Sequence, residues 1–246
     1  MRPFSSMLWA LGALGLAPGP APASALPAPV ELRQRIEQPG GPQARVALTL
    51  DACGGGFDEA LARFLIERRI PATLFVTRRW LERNRDAVAL LLAHRELFQI
   101  EDHGAAHVRA VIGADRRVYG LPGARDLAAL RAEVEQGAAA VRGATGVAPR
   151  WYRGATARYD PEALRAIDRW GYWAAGFSLN ADAGATLGAA AVAQRVMQAT
   201  DGDVILAHIN HPQSGTGAGL MRALPQLQAR GIRFVRLDAV TLAAER

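Results

Sequence analysis

Residues 46–61 read VALTLDACGGGFDEAL, and the fold of the chain turns on this stretch. Val46 to Leu50, with only Thr49 polar, form the nearly continuous apolar run that a parallel strand covered on both faces requires. The run ends on one carboxylate, Asp51, passes through Gly54, Gly55 and Gly56, and reaches Asp58, where a helical pattern opens. Strand, glycine-rich turn and helix make one βα unit. An aspartate in such a place can simply begin a turn. It can equally stand at the mouth of a site, with the glycines leaving the backbone open to approach.

Outward from this unit the same pattern repeats. RVALTLD (45–51), PATLFVT (71–77), ELFQIED (96–102), PRWYRGA (149–155), YWAAGFSLN (172–180), DVILAHIN (203–210) and IRFVRLD (232–238) each predict a buried strand. Helical patterns fill most of the intervals, at 58–69, 78–94, 125–142, 160–170, 188–200 and 218–230. Asp160-Pro161 is an N-cap followed by proline at the first helical position, and Gly171 and Gly231 stand where helices end. Strands alternating with helices predict an α/β fold, barrel-like or doubly wound.

Composition narrows the classes. The 246 residues suffice for one sizeable core. Residues 1–25 carry Arg2, an apolar run from Met7 to Ala17 and Ala23-Ser24-Ala25, which predicts a signal peptide cleaved after Ala25 and a secreted or periplasmic protein. That run is shorter than the ~20 residues of a membrane span, so no stable span is expected after cleavage. Residues 26–43 read as a Pro/Gly-rich leader and 44–246 as one folded domain. Cys53 is the only cysteine, which excludes an internal disulfide. The net charge is +6 and every one of the 29 basic residues is arginine, scattered rather than striped, which argues against nucleic acid as a partner.

In α/β folds, chemistry collects just past the carboxyl ends of the strands. Asp51, His103, Arg153, Asp182 and His208 all fall there. His103 and His107, four apart, share a face at helical spacing and can chelate one metal ion, zinc for preference, with cobalt, nickel or iron also suited. His208 at a strand end suits a general acid or base. Asp182 can orient such a histidine or merely begin a turn. Arg153 can clamp a carboxylate. His211 reads as a loop residue and His94 as a helix-end charge. The tryptophans at 80, 151, 170 and 173 read as core.

This ordered set, an Asp after LTL, then HxxxH, an Arg motif, an Asp and LAH, resembles the polysaccharide deacetylase family (carbohydrate esterase family 4, the NodB-homology domain), from about Val46 to Val240. The resemblance implies a distorted, incomplete (β/α) barrel of about seven strands. It also implies a metal-dependent hydrolase acting on N-acetyl, or sometimes O-acetyl, groups of a polysaccharide or oligosaccharide. By position it makes Asp51 the catalytic base, Arg153 its support, His103 and His107 metal ligands, and His208, oriented by Asp182, the acid. A backbone N–H near Thr156 would serve the oxyanion.

The chain departs from the family pattern where a second Asp is usual (Ala52), at Gly154-Ala155-Thr156 in place of a Pro-aromatic motif, and at Ala183 in place of Trp. A third metal ligand is then open among Asp51, Cys53 and Asp102. Two other readings stay open with it. One is a catalytically silent glycan-binding relative; the other is a hydrolase of a different linear amide, such as a formamide.

Overall fold

The computed structural model describes residues 27–245 apart from positions 38 and 40. The predicted signal peptide and its expected cleavage site lie outside the described residues. A curled, mainly parallel sheet forms an open half-barrel. Its strands are β1 (Arg45–Ala52), β2 (Ala72–Val76), β3 (Phe98–Asp102), β4 (Trp151–Tyr152), β5 (Trp173–Ala174), β6 (Leu179–Asn180), β7 (Val204–His208) and β8 (Arg233–Val235). Their order is β5-β4-β3-β2-β1-β7-β6, with β8 also paired to β1.

The nearly continuous apolar runs are explained by what covers them. Val46, Leu48 and Leu50 point to one core and Ala47 to another, as the alternation of a strand between two packed layers requires. Helices α1 (Glu59–Glu67), α2 (Arg78–Arg83), α3 (Arg85–Ala93), α4 (Leu127–Thr145), α5 (Pro161–Arg169), α6 (Ala189–Val196) and α7 (Gly215–Ala229) follow the predicted segments. Asp58, Asp126 and Asp160 cap α1, α4 and α5 through their side chains. One predicted helix, 78–94, is two, parted at Asn84.

The predicted strand 172–180 is also two, and the cause is visible. Between β5 and β6 the chain turns from the main sheet to residues 32–34: Phe177 N–H donates to Leu32 C=O, and Gln34 N–H donates to Phe177 C=O. A side chain at position 176 would strike the Leu32 carbonyl, so only glycine fits. The stretch read as a leader therefore contributes to the fold, through strands Val30–Glu31 and Gln34–Ile36. A five-stranded second sheet, unread in the sequence, runs Val30–Glu31, Arg158–Tyr159, Arg109–Ile112, Leu121–Ala124, Arg117–Val118.

Parallel register sets the site. His208 pairs with Asp51, Asp51 with Phe75, Val76 with Asp102, and Asp102 with Tyr152, so five strands end at one level. Helix α4 braces the loop leaving β3 at Gly137, where a Cβ would meet Asp102 Oδ1 and lie 2.6 Å from the Gly104 carbonyl carbon. Gly137→Ala is expected to cost about 1–3 kcal/mol in urea unfolding, the usual price of overpacking. Unchanged stability would mean that the loop is not held from this side.

Candidate active site

Asp51 stands almost fully buried one residue before the end of β1, and fully buried Arg153 follows β4 to meet it. Arg153 Nη1 donates to Asp51 Oδ1 at 2.8 Å and to Thr49 Oγ1 at 2.8 Å, while Nη2 donates to the Gly176 carbonyl at 2.8 Å. The guanidinium lies 4.1 Å from the Phe75 ring centroid. Burial pushes the Asp51 carboxyl up, but Arg153, then His103 and His208, outweigh it and hold the pKa below the usual carboxylate value. Asp51 is therefore an ionised carboxylate kept in one orientation.

His103 and His107 do not share a helix face. They lie on the loop after β3, with His107 in the left-handed region at φ 64°. The turn still brings their ring centroids to 4.7 Å. His103 Nδ1 is 2.6 Å from the Arg153 carbonyl oxygen, which makes Nδ1–H the donor and leaves Nε2 facing the site. A backbone carbonyl behind an imidazole is the arrangement that orients metal-binding histidines. Burial lowers the His103 pKa, yet Asp51 and Cys53 raise it further, to about 9.

Cys53 Sγ lies 3.4 Å from His103 Nε2. Cys53, His103 and His107 form the one group of metal donors found among the described residues, all within 4.8 Å of one another. Two donors of one tetrahedral zinc stand about 3.5 Å apart, so a thiolate and two imidazoles fit a borderline-soft divalent ion. Burial raises the Cys53 pKa, but His103, His107 and His208 bring it well below that of an ordinary thiol.

The other two candidate ligands fall outside this group. One oxygen of Asp51 is paired with Arg153 and the other stands 3.6 Å from His103 Nε2. Asp102 turns the opposite way: Oδ1 accepts from Gly104 N–H beneath α4, and burial raises its pKa well above the usual value.

Across the site, His208 ends β7. Its Nδ1 lies 3.0 and 3.1 Å from the Asp182 carboxylate oxygens, which also accept from Thr216 Oγ1 at 2.9 Å and from His208 N–H at 2.9 Å. Burial lowers the His208 pKa, and Asp182 with Cys53 raises it well above the ordinary value. Asp182 thus contacts the His208 ring besides holding its own turn, where it accepts from Gly184 N–H.

A cavity of about 550 Å³ joins these groups, bordered by Asp51, Cys53, His107, Thr156 and His208. Thr156 contributes a left-handed backbone (φ 70°) and a buried hydroxyl without a partner. His107, Tyr119, Thr156 and Ala183, four non-glycine residues with positive φ, all border the cavity. Backbone strain concentrated at one place is a mark of functional sites. His211, read as a loop residue, borders it too, as do Tyr119 and Asn180, which sequence reasoning passed over. Of the tryptophans, Trp80 and Trp151 are core, whereas Trp173 is 46% exposed and lies away from the cavity.

The family described as "Polysaccharide deacetylase" matches residues 39–175, more than half of the chain. The chain belongs to the polysaccharide deacetylase family. No curated protein matches it. Among solved structures it resembles a carbohydrate esterase family 4 pseudoenzyme from Bacillus anthracis, at 18% identity and TM-score 0.66, covering 82% of this chain and 66% of that one. A mutant of that pseudoenzyme with restored enzymatic activity matches at 19% identity and TM-score 0.64, covering 82% and 68%. A family 4 carbohydrate esterase from Streptomyces lividans in complex with acetate matches at 20% and 0.63, covering 78% and 91%. At these identities the likeness is one of fold. The fold thus agrees with the barrel that the sequence motifs imply.

Proposed function

We propose that this polysaccharide deacetylase family member is a metal-dependent hydrolase that removes acetyl groups from the amines of an exported polysaccharide or oligosaccharide. The observation that carries this reading is the pairing of two buried polar dyads, Asp51–Arg153 and Asp182–His208, across one cavity bordered by a Cys/His/His donor group. A glycan-binding protein has no use for a base and an acid so held.

Cys53, His103 and His107 would hold the ion, zinc for preference, and it would polarise the acyl carbonyl and acidify a water molecule. Asp51, ionised and steadied by Arg153, accepts the proton of the attacking water. The backbone N–H near Thr156 donates to the oxygen on which negative charge develops. His208, kept protonated by Asp182, donates to the departing amine nitrogen. Water is consumed, and amine and acetate are released. Among the described residues no helix is long and apolar enough to cross a membrane, which is compatible with an exported protein.

His208→Ala is expected to lower kcat for acetate release about 10²- to 10⁴-fold, the usual worth of one proton-transfer group, with metal content at the wild-type level. Loss of the metal in this variant would overturn the role. The silent-relative reading draws support from Ala52 and Ala183. Absence of acetate, and of formate from a formylated substrate, with one metal bound would favour it.

A further inference from the structure

We propose that Tyr119 is a sugar-stacking platform that extends the active cavity to a second pyranose ring; this rests on the carbohydrate reading above. Tyr119 and Gly120 form the two-residue turn of the hairpin Arg117–Val118/Leu121–Ala124, closed by the Val118–Leu121 pair. Both have positive φ, 51° and 74°, as a tight hairpin of this kind requires. Glycine meets that demand freely, but tyrosine meets it under strain.

The ring on this strained backbone is nevertheless 71% exposed, the most exposed large hydrophobic residue described, and it borders the same cavity as Asp51, Cys53 and His208. It is also held in place. Arg158 lies 5.3 Å from the ring centroid, and its Nε donates to Tyr119 Oη at 3.1 Å. Arg158 in turn pairs with Glu31 at 3.8 Å, and Glu31 itself borders the cavity. A ring fixed before the ligand arrives loses little conformational freedom on binding.

The surroundings match the ligand class. Of the five exposed large hydrophobics described, Tyr119 is the one that borders the cavity. Polar residues border the same cavity, among them Glu31, Asn180 and Thr156. An aromatic face with hydrogen-bonding groups at its margin suits a pyranose, which is apolar on its C–H face and polar at its rim. The platform also stands in for the aromatic bulk that the family pattern places elsewhere and that Thr156 and Ala183 lack.

The test is calorimetric titration of the zinc-loaded protein with the N-acetylglucosamine tetramer, using wild type, Tyr119→Phe and Tyr119→Ala, with acetate release by wild type measured alongside. Tyr119→Ala should weaken binding about tenfold, the worth of one aromatic contact, while Tyr119→Phe stays within about twofold because the ring remains. Trp173→Ala, an exposed aromatic away from the cavity, should bind as wild type. Wild-type acetate release with equal affinity for Tyr119→Ala would overturn the platform and leave the deacetylase reading standing. Tight binding that depends on Tyr119 without acetate release would uphold the platform and overturn the deacetylase reading. Neither binding nor release would overturn both.

Discussion

Cys53→Ala protein is expected to leave extensive dialysis nearly free of zinc, while the wild type keeps about one equivalent, since the substitution removes one of the three proposed protein ligands. The family pattern puts a carboxylate at position 52, where this chain has alanine. The structure offers the next side chain instead: Cys53 Sγ stands 3.4 Å from His103 Nε2 and inside the donor group with His107. Losing even an outer partner of a ligand costs about 10- to 100-fold in affinity, so losing the ligand itself should cost at least the upper figure. Elemental analysis measures this directly. Cobalt(II) gives a second readout, because a thiolate ligand produces a near-ultraviolet charge-transfer band that Cys53→Ser would abolish. Full metal retention by Cys53→Ala would show that Asp51, not the thiol, completes the site.

Asp51→Asn should lower kcat for acetate release by about 10²- to 10⁴-fold, because the amide cannot take a proton from water. The change should leave metal content intact if the thiolate is the third ligand. It also leaves the fully buried Arg153 guanidinium without its carboxylate, although Thr49 Oγ1 and the Gly176 carbonyl still accept from it. Breaking a buried pair on one side costs about 3–5 kcal/mol, so urea unfolding must accompany the kinetics and distinguish a lost base from a lost fold. Turnover within about tenfold of wild type would remove Asp51 from the role of base.

How much of this was legible in the chain differs from element to element. Asp51, Arg153 and His208 were placed together because each ends a recognisable apolar run, and parallel register brings such ends to one level. The HxxxH spacing located His103 and His107, but the helix assumed for them is a loop, since the left-handed turn at His107 has no signature in a histidine. Cys53 stood among three possible ligands because only the approach of the loop after β3 singles it out. The hairpin at Tyr119 has no such signature, since tyrosine is not the asparagine or aspartate by which a two-residue turn is ordinarily known.

Local order, then, was determined by the sequence itself: the buried runs, the helix caps at Asp58, Asp126 and Asp160, and the carboxyl ends where polar groups gather. Those features depend on neighbours a few residues apart, within reach of propensity and periodicity. Tertiary structure alone decided that Cys53 joins two histidines, that Arg153 belongs to Asp51, and that residues 32–34 break the strand at Gly176. Each of these depends on contacts between segments some 50 to 145 residues apart, and only the curling of the sheet brings such segments together.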